Sequence, residues 1–244
     1  DMSGGRIFIG TSGWNYDHWK GTFYPESIKK KEWFSHYQSQ LSTVEINNTF
    51  YNLPSKKTFE DWQTSTSEGF LFSVKASRYI THMKKLKDPE QSTPKFFDAV
   101  QGLGDKLGPV LFQLPPKWKK NTERLQSFVR ELPEGFRYTF EFRDHSWFDT
   151  EIYQILSNNN IAFCIYHLEG FETPRETTAD FVYIRLHGPE AAYQGKYSRE
   201  ELSGWAGALS AWQRQGKDIY LYFDNDQLGY APQNALEIRN MVQG

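Results

Sequence analysis

The chain has 244 residues, of which 38% are hydrophobic, 24% charged and 17% aromatic, and its formal net charge is −2. This composition is that of an ordinary soluble globular protein, and a dedicated nucleic-acid-binding domain would usually have a pI above about 9. No apolar run approaches the roughly 18 residues that a membrane-spanning helix needs. We therefore expect a soluble protein, cytoplasmic by default, with neither a membrane nor a nucleic acid as its partner.

The amino terminus indicates where the folded domain begins, and the cysteine content limits the disulfide, metal and thiol chemistry available to the chain. Residues 1–5 are short and polar, without a basic leader or an apolar segment, and we interpret them as a cloning remnant ahead of a single domain at 6–244. Cys164 is the only cysteine, which excludes an intrachain disulfide and a thiolate metal cluster. Because it lies in an apolar run, we expect a small buried hydrophobe rather than a catalytic thiol.

Eight short runs rich in β-branched and aromatic residues are bounded by turn residues and are predicted to be strands. They are Arg6–Gly10, Thr43–Asn47, Phe70–Lys75, Pro109–Leu114, Arg137–Arg143, Ile161–Tyr166, Phe181–His187 and Asp218–Phe223. Most are separated by segments with helical spacing, namely Glu32–Leu41, Thr58–Thr66, Pro94–Leu107, Asn121–Leu132, Thr150–Ser157 and Glu200–Arg214, and Pro232–Val242 follows the last strand. This regular alternation predicts a parallel sheet.

The spacing of the predicted strands indicates the fold class. The repeat averages about 30 residues, the size of one βα unit, and eight units in about 250 residues predict an α/β protein with a single-domain (β/α)8 TIM-type barrel. The alternative is an open doubly wound sheet, but Gly10–Gly13 lacks the spacing of a glycine-rich phosphate turn. Residues His167–Asp180 show no helical pattern, so the helix between the sixth and seventh predicted strands is expected to be degenerate or missing.

Polar residues alternate with apolar ones near the carboxyl ends of the predicted strands, although strands covered on both faces normally read as continuous apolar runs. If apolar residues such as Val44, Phe112 and Ile184 face the helices, a period of two directs their polar neighbours into the barrel. Those neighbours are Glu45, Asn47, Lys75, Gln113, Glu141, Arg143, Arg185 and His187. Because active sites of this fold lie at the carboxyl ends of the strands, we expect them to converge on one pocket there.

The charges in this set need partners, because an unpaired buried ion costs several kcal/mol. One interpretation is a structural salt-bridge network in which the glutamates pair with the cations. The other is a ligand site. Lys75, Arg143 and Arg185 outnumber the carboxylates of Glu45 and Glu141, which predicts that these cations bind an anion.

The motifs at these strand ends resemble those of the YecE-like family of unknown function, also called domain of unknown function 72. They are Gly10-Thr11-Ser12-Gly13-Trp14, Tyr16, Trp19, Phe23-Tyr24-Pro25, Val44-Glu45-Ile46-Asn47, Thr49-Phe50-Tyr51, Phe112-Gln113-Leu114-Pro115-Pro116, Glu141-Phe142-Arg143, Ser146-Trp147, Arg185-Leu186-His187-Gly188 and Asn225-Asp226. The match runs from about Ile7 to Ala235. The resemblance implies a TIM-type barrel that has been described as sugar-isomerase-related, without an established substrate.

The residue types at the strand ends suit proton abstraction next to a carbonyl group. In this hypothesis Glu45 or Glu141 is the base, since two carboxylates in different environments can divide acid and base work. His187 or Lys75 polarises the carbonyl oxygen. We therefore predict Glu45, Glu141, Lys75 and His187 as the catalytic residues.

Further side chains are predicted to bind the substrate. The planar guanidinium of an arginine suits a carboxylate or phosphate, and aromatic faces can stack on sugar rings or nucleobases. The structural alternative for the aromatic residues is that they cap the barrel. The predicted binding set is Trp14, Tyr16, Trp19, Asn47, His82, Gln113, Arg143, Trp147, Arg185 and Asn225.

The residue types also allow a metal site and two other classes of function. Possible metal ligands are Glu45, Glu141, His187 and either Asp224 or Asp226. However, the sequence has no close-spaced ligand pair and the nearby cations would repel a metal ion, so we expect no metal and no cofactor. The leading hypothesis is an isomerase or epimerase for a small sugar-like or anionic substrate at the C-terminal barrel mouth. The alternatives are a glycoside hydrolase that uses a glutamate pair, and a non-catalytic barrel that binds a nucleotide, an oligosaccharide or a nucleic-acid end.

Overall fold

The computed structural model describes residues 4–243, so residues 1–3 of the predicted cloning remnant, and Gly244, lie outside the described residues. The strands are β1 (Ile7–Ser12), β2 (Thr43–Ile46), β3 (Leu71–Lys75), β4 (Leu107–Gln113), β5 (Tyr138–Glu141), β6 (Ala162–Leu168), β7 (Phe171–Glu172), β8 (Phe181–Leu186) and β9 (Asp218–Phe223). The α-helices are α1 (Trp33–Gln40), α2 (Lys56–Thr64), α3 (Pro89–Ser92), α4 (Pro94–Val100), α5 (Thr122–Arg130), α6 (Thr150–Asn158), α7 (Arg199–Arg214) and α8 (Tyr230–Gln243).

Eight of these strands form a closed parallel β-barrel surrounded by helices, which confirms the predicted (β/α)8 TIM-type fold. The strand order is β5-β4-β3-β2-β1-β9-β8-β6-β7, and a further pairing of β5 with β6 closes the sheet. The register places Ser12 beside Glu45 and Gln113 beside Glu141. Side chains from neighbouring strands therefore lie at the same height near the carboxyl ends of the strands.

The connection between β6 and β8 contains no helix among its described residues, as the sequence predicted. The short strand β7 pairs antiparallel with the end of β6, joining His167 to Glu172 and Leu168 to Phe171. Residues 173–180 then run without regular secondary structure to β8. One βα unit of the barrel has thus replaced its helix with a hairpin.

Several element boundaries differ from the prediction. The strands β2, β5 and β8 end before Asn47, Arg143 and His187, so these three polar residues follow strands rather than end them. The predicted helix over Pro94–Leu107 ends as an α-helix at Val100 and continues as 3-10 turns, in which Gly104 has a φ of 57°. A positive φ interrupts helical geometry, which apolar periodicity does not reveal.

Side-chain caps explain where four of the helices begin. The Oγ of Ser55 accepts a hydrogen bond from the Thr58 amide at 3.1 Å, and the Oδ1 of Asn121 accepts one from the Arg124 amide at 3.0 Å. Asp149 caps α6 in the same manner, and Ser198 forms a reciprocal capping box at the start of α7. Each cap satisfies a backbone donor that a helix start leaves without a partner.

The described chain divides into two compact units. Among the described residues, the first unit comprises 4–45, 165–175 and 180–243. In its core the hydroxyl of Tyr37 on α1 accepts from the Thr11 amide at 3.0 Å and donates to the Thr43 carbonyl at 2.8 Å. This buried hydroxyl fixes α1 against both β1 and β2.

The second unit comprises Ile46–Cys164 and Glu176–Ala179. Its core is aromatic: the ring of Phe128 on α5 contacts Phe112 of β4 at 5.2 Å and Phe140 of β5 at 6.2 Å between centroids. Phe112 and Phe140 therefore face the helix layer, as the alternation predicted, and Cys164 is buried as expected. The assignment of residues 6–244 to one domain stays a prediction.

Among the described residues, no helix combines the length and the apolar character that crossing a membrane requires.

Gly10 lies where the backbones of β1 and β2 approach closely. A Cβ added there would sit 2.1 Å from the carbonyl oxygen of Thr43. We expect Gly10→Ala to lower the free energy of unfolding by about 1–3 kcal/mol, because the strands must separate to admit the methyl group. Urea denaturation measures this change.

The matched control is Gly204→Ala on α7, where the added methyl group meets no atom within 4 Å. Alanine favours a helix interior over glycine by about 1 kcal/mol, so this variant should be slightly stabilised. A Gly10→Ala protein as stable as the parent would contradict the close approach of the two strands.

Candidate functional site

Glu45, at the carboxyl end of β2, is the centre of a buried polar network in the first unit. Its carboxylate accepts hydrogen bonds from the Ser12 hydroxyl at 2.7 Å and from the Tyr183 hydroxyl at 2.5 Å. The Arg185 guanidinium donates to it through Nη2 at 2.8 Å and through Nε at 3.0 Å. Glu45 is fully buried and Arg185 is 1% exposed, so the pair is shielded from water.

These contacts determine the protonation state of Glu45. Burial alone would raise its pKa, but the Arg185 charge and the donors from Arg185, Tyr183 and Ser12 together lower the pKa below its usual value. A carboxylate that is ionised and surrounded by donors is a weak base. The contacts therefore favour a structural ion pair over a catalytic base for Glu45, and Arg185 is its partner in that pair.

His187 directly follows β8 and pairs with an aspartate in the first unit. Its Nδ1 lies 3.2 Å from Oδ2 of Asp224, and its ring is buried, edge-on to Tyr166 and Tyr193. A carboxylate that orients an imidazole is the arrangement that proton-transfer histidines use. The structure thus gives His187 a partner that suits the predicted catalytic role.

Asp226 lies in the same loop after β9. Burial raises the pKa of Asp226 to about 6, although the Trp19 indole and His18 act in the opposite direction. The Trp19 Nε1 donates to Oδ1 at 2.7 Å, and the His18 Nε2 lies 2.7 Å from Oδ2. The first unit therefore holds an aspartate that titrates near neutral pH.

The aromatic residues of the first loop differ in burial. Trp19 is fully buried and bonded to Asp226, which favours the capping interpretation for its ring. Trp14 is half-buried beside Phe34, with ring centroids 4.5 Å apart, and Tyr16 donates its hydroxyl to the Ser12 carbonyl at 2.7 Å. Trp14 and Tyr16 are thus the members of this loop that retain partly exposed faces.

Asn225 and Trp147, two further predicted binding residues, are buried. The Asn225 side chain donates to the Gly195 carbonyl at 3.0 Å and to Asn234 at 2.9 Å, and Trp147 donates to the Trp118 carbonyl at 2.6 Å. These contacts are within the first and the second unit, respectively. They favour structural roles for both side chains.

In the second unit, Glu141 at the end of β5 is fully buried beside Arg143. The Arg143 Nε lies 3.4 Å from Oε2 of Glu141, and the guanidinium is 12% exposed. Gln113 of β4 neighbours Glu141 in the register, and its amide donates to the Leu114 carbonyl at 3.1 Å. Asn47, after β2, has a buried Oδ1 without a described hydrogen-bond partner.

Lys75 and His82 form a second group in this unit. The Lys75 ammonium lies 4.1 Å from the centre of the Phe50 ring, and the His82 ring meets the same phenyl group edge-on at 4.9 Å. The Nδ1 of His82 is 2.8 Å from the Thr81 hydroxyl. Phe50 thus positions both polar side chains.

The pKa of His82 reflects its burial and the charges near it. Burial, followed by the charges of Lys75, Arg78, Arg143 and Lys85, lowers its pKa to about 4. The imidazole is therefore neutral at pH 7, and the charges that act most on it are all positive. The second unit consequently contains a concentration of cations around a neutral histidine.

Sequence reasoning missed several residues that the structure places beside the predicted ones. Tyr183 lies two residues before Arg185 on β8, so the period-two pattern alone would have identified it. Ser12 was placed in a loop after β1, but the strand extends to it. The sequence offers Asp224 only as a possible metal ligand or a group for substrate hydroxyls. Its pairing with His187, and the position of Arg78 near His82, follow from tertiary contacts that no local pattern signals.

Within residues 4–243, no group of three or more His, Cys, Asp or Glu side chains is arranged to hold a metal ion. The carboxylates instead meet donors, as Glu45, Asp224 and Asp226 do. The prediction of a metal-independent activity stays a prediction.

The fold and the polar strand ends define a TIM-type barrel with charged groups at the carboxyl ends of its strands, the class in which enzyme active sites occupy this position. A family model described as "Protein of unknown function DUF72" matches residues 8–244, and the chain belongs to this family. This result confirms the resemblance drawn from the strand-end motifs.

Relatives with known names or structures agree with this assignment. The UPF0759 protein YunF of Bacillus subtilis is 28% identical and aligns over 97% of this chain and 94% of its own length, whereas YecE of Escherichia coli is 27% identical over 58% and 50%. The crystal structure of a DUF72 family protein from Thermotoga maritima is 30% identical, with a TM-score of 0.88, covering 98% of this chain and all of that one.

A more distant structure shares the fold alone. The glycoside hydrolase family 5 enzyme PbGH5A from Prevotella bryantii has 11% identity and a TM-score of 0.51, covering 97% of this chain and 96% of its own. An identity this low carries no information about the reaction.

From the buried Glu45–Arg185 pair we predict a change in the free energy of unfolding. We expect Glu45→Gln to lower the free energy of unfolding by about 3–5 kcal/mol, because it leaves the Arg185 guanidinium buried without a counter-charge. Because folding lowers the pKa of Glu45, the carboxylate contributes its full stabilisation of the folded state above the unfolded-state pKa near 4.5. This stabilisation is lost as the pH falls from there through the folded-state pKa. Urea unfolding at pH 7 and at lower pH measures both effects.

The double variant Glu45→Leu/Arg185→Met is the control for loss of the charge pair as a whole. Replacing both ions by apolar groups of similar size is often neutral, so it should be more stable than Glu45→Gln. If Glu45→Gln unfolds at the same urea concentration as the parent protein, the pair is not the buried ionic contact described above.

Proposed function

We propose that the protein is an enzyme that performs acid–base chemistry of the isomerase or epimerase type on a small anionic, sugar-like substrate. The observation that carries the proposal is the group of cations around the neutral His82 at the carboxyl ends of β3 and β5. The role of each residue is argued separately for the two units.

Anion binding is assigned to Lys75 and Arg143. Both act on His82, and both side chains belong to the second unit. A phosphate or carboxylate would bring negative charge to this group of cations, and the planar guanidinium of Arg143, beside Glu141, can bind two oxygens at once. Arg185, which the sequence placed in the same role, is neutralised by Glu45 and is not part of this proposal.

Proton transfer in the second unit is assigned to Glu141, with His82 as its assistant. Glu141 is fully buried and adjacent to Arg143, so a substrate held by Arg143 would lie near a carboxylate. The neutral imidazole of His82 has one N–H group, which can donate a hydrogen bond to a carbonyl oxygen. This division matches abstraction of a proton next to a carbonyl whose oxygen is polarised.

The first unit offers a second acid–base group, His187. Asp224 orients its imidazole, and the nearby Asp226 has a pKa of about 6 that suits a proton donor near neutral pH. Perturbed pKa values of this kind concentrate at functional sites. These features support acid–base chemistry in preference to a purely binding barrel.

The contacts of Glu45 disfavour the glycoside hydrolase alternative. A nucleophile or general acid must present a carboxyl oxygen to the sugar, whereas both oxygens of Glu45 accept donors within the protein. In the present proposal Glu45 is a positioning residue that holds Arg185.

The anion site makes a binding prediction. Inorganic phosphate should raise the Tm of the parent protein, with a stabilisation of about 2.7 kcal/mol at one hundred times its dissociation constant. Lys75→Met should lose most of this shift, since it removes one of the cations around His82 without changing the side-chain length greatly. Differential scanning fluorimetry across a phosphate titration measures the shift.

Lys57→Met is the matched control, because Lys57 is exposed on α2 beside Asp61 and the substitution changes the net charge equally. It should retain the parent shift. Equal phosphate shifts in both variants would reject Lys75 as part of an anion site.

The chemistry makes a separate prediction. Incubated in D₂O with a panel of phosphorylated aldoses and ketoses, the protein should exchange a C–H next to the carbonyl of one member for C–D, detected by proton NMR. Glu141→Gln should abolish exchange, because an amide cannot accept the proton. Glu68→Gln, at an exposed loop position, should exchange at the parent rate, and exchange that persists in Glu141→Gln would exclude Glu141 as the base.

A further inference from the structure

A cavity of about 400 Å³ lies in the second unit, outside the residues assigned to proton transfer. It is lined by Met83, Lys84, Lys85, Lys87, Trp118 and Arg124. Small-molecule pockets in proteins commonly occupy about 300–1,000 Å³, so this volume suits a ligand of nucleotide size.

The lining carries an excess of positive charge. Lys84 pairs with Asp88 at 3.0 Å, and the Arg124 Nη1 donates to the Lys85 carbonyl at 2.9 Å. Within residues 4–243, no ion pair is described for Lys85, Lys87 or Arg124. These three cations can therefore bind the oxygens of a phosphate.

Trp118 and Met83 supply an apolar wall to the same cavity. Trp118 is half-buried, and its position is fixed from behind by Trp147, whose ring lies edge-on at 5.1 Å and whose Nε1 donates to the Trp118 carbonyl at 2.6 Å. Met83 is 62% exposed, so its thioether side chain is accessible to a ligand in the cavity. An immobilised indole beside cations is the combination that stacks on a base and holds its phosphate.

The cationic segment is held in a costly backbone conformation. Lys85, Leu86 and Asp88 all have positive φ values, of 47°, 65° and 48°. The buried side chain of Leu86, and its amide hydrogen bond to the Ile80 carbonyl at 3.0 Å, anchor this turn. Strain of this kind persists where surrounding contacts enforce it and is concentrated at ligand-binding sites.

We propose that this cavity binds a nucleotide, with the base against Trp118 and Met83 and the phosphate on Lys85, Lys87 and Arg124. Inorganic phosphate would leave the indole and the thioether uncovered, and a neutral sugar would leave the cations without a counter-charge. The free mononucleotide and a nucleotide unit of a single strand present the same chemistry to these residues. The site does not depend on the proposed acid–base activity, because it shares no assigned residue with it.

The test is isothermal titration of the full chain with AMP and, separately, with a short oligodeoxyadenylate. Loss of one stacking contact, about 1–3 kcal/mol, corresponds to a 5-fold to 150-fold weaker affinity for both probes in Trp118→Ala. Trp118→Phe keeps a ring and should retain most of the affinity. Arg124→Gln should weaken binding and reduce its dependence on salt, since one phosphate contact is lost.

Lys119→Gln, next to the cavity but outside its lining, is the charge-matched control and should bind as the parent does. Tighter binding of the oligonucleotide than of AMP would identify a strand as the source, and equal binding would identify the free nucleotide. AMP affinity that is unchanged in Trp118→Ala would overturn the proposal. So would inorganic phosphate that binds as tightly as AMP to the Lys75→Met protein, in which the separate anion site is weakened.

Lys75→Met separates this site from the proposed active site. It should bind AMP with the parent affinity even though its phosphate-induced Tm shift is reduced. Loss of AMP binding in Lys75→Met together with full binding in Trp118→Ala would place the nucleotide at the anion site instead and overturn the inference.

Discussion

The buried ion pair between Glu45 and Arg185 is the constraint on which the polar interior of the first unit depends. It joins β2 to β8, and the Ser12 hydroxyl adds β1 to the same carboxylate. Because a buried ion cannot remain without a counter-charge, these strands must keep their register for both ions to be satisfied. The pair also removes Glu45 and Arg185 from the groups that can bind a ligand strongly, which moves the candidate chemistry to other residues.

The remaining charges are distributed unequally. Two imidazoles of the first unit pair with aspartates, His187 with Asp224 and His18 with Asp226. In the second unit, burial and then the charges of the surrounding cations lower the pKa of His82 to about 4. Histidines of the same chain thus lie in different electrostatic environments, set by their neighbours.

Burial separates the aromatic residues that hold the fold from those that can meet a ligand. Trp19 and Trp147 are fully enclosed and donate their indole N–H groups to Asp226 and to the Trp118 carbonyl. Trp14 and Trp118 are half-buried. The sequence shows only that aromatic residues follow the strands, and a ring that caps a barrel has the same local signature as a ring that binds a sugar or a base.

The amino-acid sequence by itself determined the barrel and the missing helix after β6, because strand and helix periodicity are properties of a few consecutive residues. It could not determine which ions pair. Glu45 and Arg185 are 140 residues apart, and the sequence presents three cations, Lys75, Arg143 and Arg185, without indicating which of them pairs with which glutamate. Which ions pair depends on distances of a few ångströms between strands. The protonation of His82 and the burial of Trp19 depend on such distances as well. Only the tertiary structure sets these, because ion pairing and burial are decided by which side chains the closed sheet brings together.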